Sequence, residues 1–117
     1  MKIKDVSEKF HLSPDTLHYY EKIGLIRHVP RDKNGVRDYT EENCDTIAFI
    51  KCMRAASVSI DGLSRYMELF QQGDATRAAR RQILVDERDH LESRQKDIQE
   101  ALQHLNWKIK LYDEGKF

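Results

Sequence analysis

The sequence predicts a mainly α-helical chain in two parts: a small helical head carrying a basic β-hairpin, and a long dimerising helix. Three observations carry this. Only two Pro occur in 117 residues, which argues against a loop-rich or all-β chain. Two helix starts, Ser13-Pro14-Asp15 and Thr40-Glu41-Glu42, bracket an Asn34-Gly35 turn signal. Leu84, Leu91, Ile98, Leu105 and Tyr112 then recur every seven residues in a stretch from Ala75 to about Asp113 without Gly or Pro.

Taken in order, Ile3, Val6 and Phe10 share one face of a first short helix, and Leu12 follows a break at His11. Ser13 is an N-cap, Pro14 sits at the first helical position and Asp15 meets the positive end of the helix dipole. The second helix runs from Pro14 to Lys22 and turns Leu17 and Tyr20 toward the first, while Thr16, His18 and Tyr19 point elsewhere. Gly24 ends it. Two short helices joined by a tight turn form a helix-turn-helix pattern.

Residues Val29 to Tyr39, VPRDKNGVRDY, then read as a hairpin. Asn34-Gly35 suits a type I′ turn because both residues tolerate positive φ. The hairpin carries Arg31, Lys33 and Arg37, too polar for a core sheet. Either it is a solvated surface loop, or it is a wing lying along a phosphate backbone. Thr40 caps a third helix to about Ala56, with Ile47, Phe49, Ile50, Met53 and Ala56 on its buried faces. Ser59 caps a fourth, with Ile60, Leu63, Met67 and Phe70 at helical spacing. Gly73 stops it, and Asp74 is placed to cap the next.

The last helix carries the heptad seam, widened by Leu102 and Ile109. About 39 residues span ~58 Å at ~1.5 Å each, and such a seam is not buried within one chain, so the helix should pair with a second copy. The expected division is a head over residues 1–72, a coiled-coil helix over 74–113 and a short tail over 114–117.

Charge is balanced at 20 Lys+Arg against 20 Asp+Glu, yet it is segregated. Lys22, Arg27, Arg31, Lys33 and Arg37 face only Asp32, a local charge of +4, whereas residues 86–100 hold six acids and three bases. Nucleic-acid binding follows the local field, so a neutral total does not exclude it. No apolar run approaches the ~20 residues of a bilayer span, and MKIKDVSEKF lacks a signal core. The chain is therefore expected in the cytoplasm, with no membrane partner. Cys44 and Cys52, eight residues apart on one helix, would lie ~12 Å apart, too far for a disulfide.

At TLHYYEKIGL (residues 16–25) and RDKNGVRDYT (residues 31–40), the order of parts resembles the MerR family of bacterial transcription regulators, over essentially the whole chain. The resemblance implies a winged helix-turn-helix head and an antiparallel coiled-coil homodimer. Its two heads would occupy successive major grooves of a palindromic operator in double-stranded promoter DNA. Family members bend and untwist promoters whose two elements are spaced too widely, realigning them for RNA polymerase. Physically this is shape readout, in which protein contacts offset DNA deformation. The resemblance implies that Thr16 and His18 face the groove and that Tyr19 reaches a phosphate. Arg31 and Arg37 should grip the backbone, with Lys33 in the same wing and Tyr39 beside them. One departure stands out: the family usually has Arg where this chain has His18, and a neutral imidazole does not fork onto guanine as Arg does.

Metal-sensing relatives place cysteines near the end of the dimer helix; here no Cys follows residue 52, so no thiolate metal site and no cofactor is expected. Multidrug-sensing relatives append a ligand domain, and only YDEGKF follows the seam. The remaining sensors are a reactive side chain or none. Cys52 is flanked by Lys51 and Arg54, cations that lower a thiol pKa, and its context resembles a MerR branch answering aldehydes and related electrophiles through one cysteine. The competing reading is a buried, packing Cys; Cys44 has no such match and is left as a bystander. Two other classes compete: a coiled-coil interaction module without DNA, which leaves the basic hairpin unused, and an enzyme. The five scattered His form no HExxH pair, phosphate loop or triad motif, so no catalytic residue is expected.

Overall fold

The computed structural model describes residues 1–116. Helices α1 (Ile3–Phe10), α2 (Pro14–Lys22), α3 (Glu41–Ala55), α4 (Ile60–Gln71) and α5 (Arg77–Asp113) follow one another, with a single 3₁₀ turn over Asp74–Thr76. The chain divides into two compact units, Met1–Arg80 and Arg81–Phe117.

Local chemistry sets the helix ends of the first unit. His11 terminates α1 in the left-handed region, its N–H donating to the Ser7 carbonyl. Ser13 Oγ accepts the Thr16 N–H at 3.1 Å, with Pro14 in the first turn. Thr40 and Asn43 make a reciprocal capping box at the start of α3, with N–H···O distances of 3.0 and 2.9 Å. The Asn43 amide also donates to the Arg27 carbonyl at 3.2 Å, which accounts for its burial. Ser59 caps α4 through the Gly62 N–H at 2.9 Å.

α1 packs on both α2 and α3, and α3 packs on α4. Val6, Leu17, Leu25, Ile26, Ile47, Ile50 and Leu63 are fully buried between them. At ~1.5–3 kcal/mol for each large aliphatic side chain removed from water, this cluster holds the first unit together.

The wing differs from the sequence expectation. Among the described residues there is no β-strand; the two arms of residues 29–39 share one isolated antiparallel bridge, Arg31 to Arg37. The turn is not type I′ either. Gly35 has φ +77, but Asn34 does not enter the left-handed region. The Gly35 N–H closes onto the Asp32 carbonyl at 3.0 Å and the Asp32 N–H reaches the Val36 carbonyl at 2.8 Å. Lys33 and Asn34 are thus the central residues, with Gly35 as a left-handed third. The cause is Asp32, whose carboxylate accepts the N–H groups of Asn34 at 2.8 Å and Val36 at 3.0 Å, moving the turn one residue earlier. Pairing stops because Tyr39 turns its N–H to the Met1 carbonyl at 2.7 Å.

The last helix begins at Arg77, after the 3₁₀ turn, rather than at Ala75. Asp74 does not cap it; the turn is entered through Gly73 at φ +87 without a side-chain cap. Instead the Thr76 hydroxyl donates to the Leu69 carbonyl at 2.7 Å, which tightens this corner. Along the 37 residues of α5 the buried residue is Ile83.

Candidate nucleic-acid interface

α2 is a helix with two chemistries. Leu17 and Tyr20 face the core, while His18 is exposed and Tyr19 keeps 49% of its surface in water. The Tyr19 ring leans on Tyr20 at 6.1 Å between centroids, which restrains this exposed side chain. Thr16 is half-buried, its hydroxyl 2.9 Å from Ser13 Oγ, so it is tied into the cap as well as standing on the outer side.

Beside this helix the wing presents Arg31 and Lys33, both exposed. Arg31 Nη1 donates to the Gly35 carbonyl at 2.9 Å, holding its guanidinium along the turn. The turn itself is braced by Lys2, whose ammonium lies 2.6 Å from Asp32 Oδ2. That hydrogen bond, together with those from the Val36 and Asn34 N–H groups, brings the Asp32 carboxyl down to about 2.

The structure engages two of the expected DNA-contact residues within the chain. Arg37 does not stand free: its Nε lies 3.0 and 3.2 Å from the two Glu21 oxygens, and Nη2 donates to Oε2 at 3.1 Å. With both partners about one quarter exposed, this forked pair fastens the wing to α2. Tyr39 is not beside the arginines at the surface but in the core, 3% exposed. Glu21 was missed as a site residue, because partners sixteen positions apart leave no periodic trace.

Cys52 is exposed on α3 and Cys44 is buried. The expected polarising neighbours are engaged elsewhere: the Lys51 ammonium donates to the Phe10 carbonyl, and Arg54 Nη1 to the Val58 carbonyl at 2.8 Å. Among the described residues no three His, Cys, Asp or Glu side chains gather as a metal site would require. On α5, Leu84, Leu91, Ile98, Leu102, Leu105, Ile109 and Tyr112 are exposed, from 38% at Leu84 to 61% at Tyr112.

A capped helix with a polar outer face, fastened beside a basic turn on a small helical core, is a head of the helix-turn-helix class. The chain belongs to the MerR family: the MerR HTH family of regulatory proteins matches residues 1–69, and the MerR DNA-binding family matches residues 44–107. It is 50% identical over 91 residues to the HTH-type transcriptional regulator AdhR of Bacillus subtilis, an alignment covering 78% of this chain. That alignment spans only 65% of the relative's length. A crystal structure of a MerR family transcriptional regulator from Listeria monocytogenes superposes with a TM-score of 0.90 at 42% identity, covering 97% of this chain and 86% of the other. The fold is also that of HiNmlR, a MerR family regulator lacking the sensor domain and bound to promoter DNA. That match has a TM-score of 0.85 at 24% identity over 98% and 91% of the two chains.

Proposed function

We propose that this chain works as a homodimer that grips a palindromic operator in promoter DNA, deforms it, and so controls access of RNA polymerase. The observation that carries the reading is the division of α2 into a buried and an exposed face beside the exposed Arg31 and Lys33. Thr16 and His18 enter the groove, Tyr19, Arg31 and Lys33 meet phosphates, and Arg37 reaches a phosphate only by leaving Glu21. The exposed heptad residues of α5 supply the dimer seam, which sets the separation of the two heads. Bending a site costs roughly 1–6 kcal/mol, within reach of several charge-assisted phosphate contacts from each protomer.

The effector is a thiol-reactive electrophile such as an aldehyde, and Cys52 is the sensor. Its exposure on α3, against the burial of Cys44, supports this choice. Addition of the Cys52 sulfur to an aldehyde carbonyl would form a C–S bond as the C=O π bond opens to a hydroxyl that takes up the proton lost by the thiol. The adduct would add bulk on α3, a helix packed on both α1 and α4.

Mobility-shift titration over a range of salt tests the DNA reading. Arg31→Ala and Lys33→Ala should each weaken binding to every sequence and lower the salt slope by about one, while His18→Ala changes preference among operators. No shift at any salt would favour an interaction module instead. In a promoter-coupled transcription assay, Cys52→Ser should bind normally and lose its response to formaldehyde or methylglyoxal, whereas Cys44→Ser keeps both. A normal response from Cys52→Ser removes the sensor assignment.

A further inference from the structure

The head also holds a cavity that neither α2, the wing nor Cys52 lines. Glu42, Asp45 and Phe49 recur at helical spacing on one face of α3, and Tyr66 and Phe70 stand one turn apart on α4 beside Met67. Where α3 packs on α4, these side chains line a space of about 270 Å³. Its wall is an aromatic series. Phe49 and Tyr66 lie 5.2 Å apart between ring centroids, and Tyr66 and Phe70 stack at 6.5 Å. The series is not closed into the core, since Phe70 keeps 49% of its surface exposed. The rim is acidic: Glu42 and Asp45 are exposed, and among the described residues neither forms an ion pair. The Thr46 hydroxyl, also in the lining, is spent on the Glu42 carbonyl at 3.2 Å. The rings already attract one cation from outside the cavity. The Arg80 guanidinium sits 5.1 Å from the Phe70 ring centroid, yet Arg80 is not part of the lining.

We propose that this cavity is a binding site for a small organic cation, an ammonium or guanidinium group carried on one short apolar or aromatic body. An aromatic ring attracts a cation over its face through its quadrupole, and the two unpaired carboxylates at the rim supply the opposite charge. A neutral apolar ligand would cover the rings and leave the carboxylates unused; an anion would be repelled by both. The volume sets the size, falling just below the ~300 Å³ at which pockets for drug-sized ligands begin, and so suits one ring with a short side chain. Binding here is non-covalent and independent of Cys52. A ligand in this place touches α3 and α4 together, clamping the helix that bears Cys52 to the helix that leads into the corner before α5.

The test compares 2-phenylethylamine, protonated at neutral pH, with 2-phenylethanol, a neutral molecule of the same shape. Each is titrated into the whole chain labelled with ¹³C at the methionine methyl groups, because Met67 lines the cavity and Met1 does not. The amine should shift the Met67 resonance to saturation while Met1 stays in place. The alcohol should bind about fivefold more weakly, the scale of one solvent-exposed cation–π contact. Asp45→Asn and Glu42→Gln change exposed side chains, and each should weaken the amine by about two- to fivefold while leaving the alcohol unaffected. Thermal melting of the two variants should stay close to wild type. Equal affinity for amine and alcohol would reduce the site to an apolar crevice without charge preference and overturn the proposal. Unchanged amine binding in both variants would do the same. Shifts that never saturate, or that move Met1 as much as Met67, would mean non-specific association and also overturn it. A silent Met67 would show that the rings are covered, by a second copy or by closure of α3 on α4, and that no ligand enters.

Discussion

Leu17, Ile47 and Leu63 of the first unit are almost completely withdrawn from water, whereas Ile98, Leu105 and Tyr112 of α5 remain 58, 58 and 61% exposed. Both sets are regularly spaced apolar residues on capped or uninterrupted helices. The first set finds its counterparts within the chain: α1, α3 and α4 close around it. The second set stays largely in water along α5. Propensity and surface pairs such as Arg88 with Glu92 at 3.9 Å add only ~0.2–0.5 kcal/mol each to a helix. The comparison teaches that the two units have separate sources of stability: the first is internal, and the proposed dimer would supply the second.

That separation can be broken most severely at the seam. Ile98→Asp places a charge where the partner's apolar side chains should meet; light scattering should find monomers, and α5 should lose helicity by circular dichroism. A dimer with unchanged melting would mean that the seam lies on another face. The next effect in size belongs to the head. Leu17→Ala removes a fully buried side chain and should cost ~2–5 kcal/mol of head stability while leaving the dimer intact. Equal loss from both units would show that they melt together.

The smallest effect concerns the wing, and pH reveals it. The Asp32 carboxyl is held at about 2, below the ~3.9 of an unfolded Asp. The depressed value means that its contribution is fully present above ~pH 4 and is lost as pH falls toward 2. Carbon NMR of the Asp32 side chain should titrate near 2 in wild type and higher in Lys2→Met, yet still below its ordinary value because the Val36 and Asn34 N–H groups keep their bonds. Equal midpoints in the two proteins would show that the Lys2 brace is absent in solution.

The helices were legible in the sequence because their signals are local. Ser13-Pro14, Thr40 and Ser59 are caps that act within three residues, and the α5 stripe repeats without interruption. The wing was legible as a basic turn but not in its geometry. Asn34-Gly35 is a strong turn signal in isolation, yet Asp32 two residues earlier competes for the same N–H groups and wins. The site was least legible where it depends on the folded chain. Nothing in the spacing of Glu21 and Arg37 announces their pairing, and Tyr39 in an Arg-rich stretch reads as an exposed aromatic until the core is assembled. Likewise Lys51 and Arg54 neighbour Cys52 in sequence, but their long side chains find carbonyls of other segments first.

The two faces of α2 carry a consequence for how such a protein diversifies. Leu17 and Tyr20 hold the helix to the core, and at nine residues it is too short to persist without that support. His18 and Tyr19, by contrast, contribute little to the core. Substitutions at the outer positions can therefore accumulate at nearly constant stability, within about ±0.5 kcal/mol for ordinary surface changes, while the surface proposed to meet DNA changes. A lineage, or a designer, can retarget the head to a new operator without first re-engineering the fold that carries it.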